Sequence, residues 1–101
     1  MSDNVYLNGN QFLNITSAAT TVVCAKGGVL RSLTINKPVA TGTITMYDNA
    51  SAGSGTKIGT ITFPATVLAN QVTLFYDIAF SNGLTIVTTE ANDFTVSFRQ
   101  T

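Results

Sequence analysis

Histidine and tryptophan are missing from this chain, cysteine occurs once, and the charged residues are only five acids and five bases in 101 positions. Each shortage removes a class of chemistry. Without histidine, general acid–base catalysis would need carboxylates tuned by one another. With no histidine and a single thiol, transition-metal sites of the usual nitrogen and sulfur ligands are excluded. One cysteine, Cys24, rules out an intrachain disulfide. Charged residues are 10% of the chain, against about 25% in an ordinary soluble domain. The net charge is zero, so no long-range field recruits nucleic acid or an anionic membrane. No apolar run nears the roughly 20 residues that span a bilayer, and the polar residues after Met1 do not resemble a secretory signal. Neither a nucleic-acid nor a membrane partner is expected, and assembly in a cytoplasm is.

What is present in quantity is threonine, 17 residues of it. Most alternate with aliphatic or aromatic residues, as in Thr43-Ile44-Thr45-Met46, Thr60-Ile61-Thr62-Phe63 and Phe94-Thr95-Val96-Ser97-Phe98. Alternation at period two sends one set of side chains to a core and the other to solvent, as half-buried antiparallel strands require. A surface with so few charges is poorly protected against self-association, so other chains are expected to cover much of it.

Strands are predicted at Phe12–Thr16, Thr20–Ala25, Val29–Asn36, Thr43–Asp48, Lys57–Phe63, Val72–Phe80, Leu84–Thr88 and Phe94–Arg99. Turn chemistry separates them: Gly27-Gly28, Pro38, the stretch Asn49–Gly55, Pro64, Asn82-Gly83 and Asn92-Asp93. The Asn-rich stretch Met1–Gln11 reads as an arm, leaving residues 12–101 as the folded domain. The pattern predicts an all-β fold, a single antiparallel β-sandwich of seven to eight strands, jelly-roll or immunoglobulin-like. Asn82-Gly83 predicts a type I′ hairpin, and Asn49–Gly55 a longer, flexible one. Gly-Thr-Ile-Thr recurs at Gly42–Thr45 and Gly59–Thr62, as the two arms of the hairpin around Asn49–Gly55. The length and aromatic content of Val72–Phe80 suggest a central strand, with Phe75 intruding on its polar face as a subunit contact.

The acids Asp3, Asp48, Asp77, Glu90 and Asp93 are scattered. Asp48 and Asp93 are placed to cap turns, and Asp77 to pair across strands with Arg31 or Arg99. Calcium at Asp48-Asn49 or Glu90–Asp93 lacks any supporting ligand spacing. Cys24 sits in an apolar strand as an inert core thiol. The acceptor patterns Asn14-Ile15-Thr16 and Asn49-Ala50-Ser51 read as accidents of an Asn/Thr-rich composition, and Gly53-Ser54-Gly55 lacks the lysine and helix of a phosphate cradle. Tyr6, Tyr47 and Tyr76 are the candidates for stacking on sugars. The bases Lys26, Arg31, Lys37, Lys57 and Arg99 are dispersed and form no patch. No catalytic, cofactor-binding or metal-binding residue is assigned, no cofactor is expected, and the chain reads as not an enzyme.

Three stretches carry a resemblance. They are Val29-Leu30-Arg31-Ser32-Leu33-Thr34-Ile35-Asn36, Ile44-Thr45-Met46-Tyr47-Asp48 with Gly55-Thr56-Lys57-Ile58, and the run Leu74–Val87 closing with Thr95-Val96-Ser97-Phe98-Arg99. Over about two-thirds of the chain these resemble small β-sandwich virion proteins of tailed bacteriophages, of the capsid decoration or cement type. The resemblance implies a structural protein that stabilises a phage head by binding between capsid subunits. Its expected partners are the major capsid protein and copies of itself, a homotrimer on the threefold symmetry of such shells. Its expected location is the virion, assembled in the host cytoplasm. The alternative it leaves is a receptor- or glycan-binding module of a fibre or tail. It brings no catalytic residue with it.

Overall fold

The computed structural model describes residues 10–66 and 71–101. Eight strands run in order: β1 (Gln11–Ile15), β2 (Thr20–Cys24), β3 (Gly28–Lys37), β4 (Thr43–Asp48), β5 (Thr56–Thr62), β6 (Val72–Phe80), β7 (Leu84–Thr88) and β8 (Asp93–Gln100). They form two four-stranded sheets, ordered β1-β8-β3-β6 and β2-β7-β4-β5. All pairings are antiparallel. First pairs with last, second with seventh, third with sixth and fourth with fifth. That is one long hairpin wound over a common core, the jelly roll of the two expected topologies.

Alternation builds the core. Along β8, Phe94, Val96 and Phe98 are buried while Thr95, Ser97 and Arg99 face outward. Leu30, Leu33 and Ile35 of β3 meet Ile44 and Met46 of β4 and Leu84 and Ile86 of β7 in the same cluster. Cys24 is buried among them, its thiol 3.3 Å from the Lys26 carbonyl. The two Gly-Thr-Ile-Thr segments are the arms of the β4–β5 hairpin, with Ile44 opposite Ile61 and Thr45 opposite Thr60. Pro38 and Pro64 fall just outside strands, where a missing N–H breaks no ladder.

Four expectations change. Asn82-Gly83 does not close a hairpin, because β6 and β7 lie in different sheets and Gly83 has no positive φ. Gly83 is required for another reason: a Cβ there would lie 2.6 Å from Ala50 Cα and 2.7 Å from the Cys24 carbonyl oxygen. β6 is an edge strand, not a central one. Its pairing partner β3 presses on one side only, and the row shift between Leu30 and Ser32 inserts Tyr76 and Asp77 opposite the single residue Arg31. Asp77 takes φ 50° at this bulge, and its carboxylate accepts the Arg31 guanidinium at 3.3 Å, the cross-strand pair expected of it. Gln11 already belongs to β1 rather than to an arm; residues 1–9, including Asp3 and Tyr6, lie outside the described residues. Finally, the Asn49–Gly55 connection is folded back on the protein rather than projecting from it.

The Asp48 carboxylate fixes that arrangement. It accepts the backbone N–H groups of Ser81 at 3.0 Å, Asn82 at 2.8 Å and Gly83 at 3.3 Å. The end of β4 is thereby tied to the connection that carries the chain from one sheet to the other. The Ser81 N–H does most to hold this carboxyl below its ordinary value of 3.8; partial burial opposes it, and the Asn82 and Gly83 N–H groups add to the lowering. A carboxyl whose folded pKa is depressed stabilises fully above its unfolded pKa and loses that contribution as pH falls through the folded value. Asp48→Ala, which leaves three donors to water, is expected to cost about 1–2 kcal/mol at neutral pH. In acid titrations of unfolding free energy, the difference between wild type and Asp48→Ala should shrink below about pH 4. A constant difference down to pH 2 would contradict this role.

Candidate interaction surface

Register aligns the outward residues of the β1-β8-β3-β6 sheet in rows across its four strands. Phe12 lies opposite Ser97, Ser97 opposite Ser32, and Ser32 opposite Phe75. The next row runs Asn14, Thr95, Thr34, Thr73. Beyond the bulge a third row holds Arg99, Val29 and Ala79. Phe12 is 76% exposed and Phe75 79%. Strand spacing puts these two rings about 14 Å apart, at opposite ends of a row whose inner members are the hydroxyls of Ser97 and Ser32. Phe75 thus stands on the polar face, as the alternation of its strand predicts. Phe12 on β1 completes the pair, and only the register between strands far apart in sequence could have linked the two.

At one end of this face a polar cluster ties three strands together. The Asn14 amide donates to Asp93 Oδ1 at 2.8 Å and to Thr95 Oγ1 at 3.2 Å. The Asn36 amide donates to the same two atoms at 3.1 and 3.2 Å. The Asn14 and Asn36 amides, opposed by slight desolvation and helped by the Lys37 charge, lower the Asp93 carboxyl below its ordinary value. Asp93 is therefore an acceptor for side chains and caps no turn. The turn cap beside it is Asn92, fully buried, whose Oδ1 accepts the Val39 N–H at 2.6 Å. In the sequence Asn92 reads only as a turn former, and its burial has no local signal there.

The outer face of the other sheet is roofed. Thr85 is buried there, its hydroxyl donating to the Asn49 carbonyl at 2.7 Å. Gly53 lies against Val87, Thr20 and Tyr47. Asn49 holds the loop in shape, its Oδ1 accepting the N–H groups of Ser51 at 2.8 Å and Ala52 at 2.9 Å. The loop thus covers the middle of one sheet, and no described segment covers the middle of the other.

The remaining candidates do not converge. Tyr47 lies under the loop, while Tyr76 packs against the core on the opposite sheet, where burial raises its pKa. The Asp48 oxygens face three N–H donors, a setting that favours an anion and repels a cation. Among the described residues, no group of three His, Cys, Asp or Glu side chains is placed to hold a metal ion. Arg31 and Arg99 stand on one sheet and Lys57 on the other. No helix among the described residues is long and apolar enough to cross a membrane.

The chain matches no protein-family model, no curated protein and no solved structure.

The roof generates a direct test. A Cβ on Gly53 would meet Val87 Cγ2 closer than two carbon atoms can approach. Gly53→Val is therefore expected to lift the loop, lower stability by about 1–3 kcal/mol, and open the 49–55 segment to proteolysis. Thermal unfolding and limited digestion would show both effects. Ser54→Ala, a control at an exposed position of the same loop whose backbone carbonyl alone is bonded, should leave Val87 covered.

Proposed function

We propose that this is a non-enzymatic structural protein of a bacteriophage virion, a decoration protein seated on the outer shell between capsid subunits. The observation that carries the reading is the open, hydroxyl-rich β1-β8-β3-β6 face with an exposed phenylalanine at each edge. Hydroxyl groups exchange water for protein partners without the desolvation cost of full charges. Aromatic anchors on such a surface supply most of the energy of a contact. A reaction, by contrast, needs a nucleophile beside a base; Asp48, Asp93 and Asp77 are occupied with backbone N–H groups, amides and a guanidinium, and Glu90 stands exposed at a turn. Many weak contacts repeated around a shell would add up to resistance against internal pressure. Self-association belongs to the same proposal, since the surface carries so little charge to oppose it.

A glycan- or receptor-binding module of a fibre or tail is the second reading. What favours it is Phe12, two residues from Asn14 on one strand and therefore on the same face as the Asn14–Asn36–Asp93 cluster. What opposes it is that both amides already donate within the cluster, which leaves few donors for sugar hydroxyls.

Copy number on purified particles separates the two. A decoration protein is expected at a number comparable with the major capsid protein. A few copies per particle would overturn the shell assignment, and binding to a glycan panel, lost in Phe12→Ala, would establish the alternative.

A further inference from the structure

We infer that the face of the β1-β8-β3-β6 sheet, which no described segment covers, is a homodimer contact, in which a second copy stacks face to face through Phe12 and Phe75. This deepens the self-association just proposed by naming its surface; because a partner copy and a capsid subunit would compete for that one face, the dimer is the state of the protein free of the shell. It does not depend on the shell assignment.

The row Phe12–Ser97–Ser32–Phe75 reads the same from either edge. A twofold axis running along the strands between β8 and β3 places Phe12 of one copy over Phe75 of the other, twice. Ser97 then falls over Ser32. An isologous contact sets each residue over the one at the mirror position of its row, so this palindromic row brings ring over ring and hydroxyl over hydroxyl. The charge pattern agrees with that axis. It sets Arg99 over Val29, which shares its row, so the two Arg99 side chains do not meet. The Asp77 carboxylate enters the contact already neutralised by Arg31. Two twisted sheets also stack naturally at a small angle, with inner faces about 10 Å apart.

The size suits a weak, specific dimer. Four strands spaced about 4.8 Å apart and roughly 20 Å of strand length present about 400 Å² in projection, so the pair would bury on the order of 1,000 Å² of accessible surface. The competing face is closed to this role by the 49–55 loop lying over Val87 and Thr85. Pairing through the β6 edge is hindered as well. The bulge at Asp77 breaks the regular spacing of its free N–H and C=O groups.

A twofold contact also predicts a different particle mass from the threefold assembly expected from shell symmetry. Sedimentation equilibrium of the full chain, from about 1 μM to several hundred μM, decides between them, a span chosen for an interface at the small end of specific contacts. Two chains per particle at high concentration are expected. Phe12→Ser and Phe75→Ser should each raise the dissociation constant by about tenfold or more, and the double variant should remain a monomer throughout. Both rings are exposed, so circular dichroism at the dilute end of that range, where the dimer is dissociated, should show unchanged thermal midpoints. Val22→Ser, an exposed apolar residue on the other sheet, should leave the dimer intact. A monomer at every concentration, a three-chain particle, or a dimer indifferent to both phenylalanines would overturn the inference. None of these results would alter the copy count on virions, which tests the shell assignment separately.

Discussion

The carboxylate of Asp48 is the constraint on which the arrangement of the two outer faces depends. A jelly roll must carry its chain from sheet to sheet at almost every connection; here only β4 and β5 join consecutively within one sheet. Each crossing exposes backbone donors that no ladder satisfies. At the β6–β7 crossing three of them, on Ser81, Asn82 and Gly83, converge on one carboxylate. That convergence brings the crossing against the start of the 49–55 loop so closely that Gly83 has no room for a Cβ beside Ala50. The loop leaves by lying back across β7 and β4. The cap thus anchors the start of the segment that roofs one sheet.

The open face solves a problem of composition. A four-stranded sheet with five acids and five bases to share among the whole chain cannot cover its solvent side with charge. Threonine and serine do so instead, and cross-strand hydroxyl pairs such as Thr34 with Thr73 at 3.1 Å satisfy one another. The surface is wetted without being repulsive. Two exposed phenylalanines on it are then an expense in solubility that the fold itself does not require, since neither ring contributes to the core. That mismatch between fold and surface is the physical reason to assign the face to binding.

Strand positions were legible because period-two alternation is local. All eight were predicted within one residue of each end, with Thr43–Asp48, Val72–Phe80 and Leu84–Thr88 matched at both. That Asp77 pairs with an arginine was legible too, since a carboxylate inside a strand needs a partner; the choice of Arg31 over Arg99 came only with the register. What failed were inferences from local signal to neighbourhood. Asn82-Gly83 has the residues of a tight hairpin, yet the connection spans two sheets, because the partners of β6 and β7 are β3 and β4, far away in sequence. Val72–Phe80 looks central by length and aromatic content, but its bulge and one-sided pairing make it an edge. The Phe12–Phe75 row was invisible for the same reason: it exists only once β1, β8, β3 and β6 are set in register.

The edges show how the same register directs association toward the face. Between the Leu30 and Ser32 rows, β8 inserts no residue, β3 inserts Arg31, and β6 inserts Tyr76 and Asp77. The strands lengthen step by step toward the β6 edge, which coils the sheet and bends its last strand. A straight incoming strand would lose pairing at Asp77, where φ is positive and the carboxylate is held by Arg31. The longest edge strand is thus defended by geometry rather than by the lysines that commonly do this work. The bulge leaves the rows of Phe75 and Thr73 undisturbed, since both lie on its far side from Ile78. A chain with too little charge to repel its neighbours therefore blocks, at its longest edge strand, the route that leads to open-ended sheet growth. It keeps free the one that ends after a single partner, because a face that pairs with itself about a twofold axis is used up by the contact it makes.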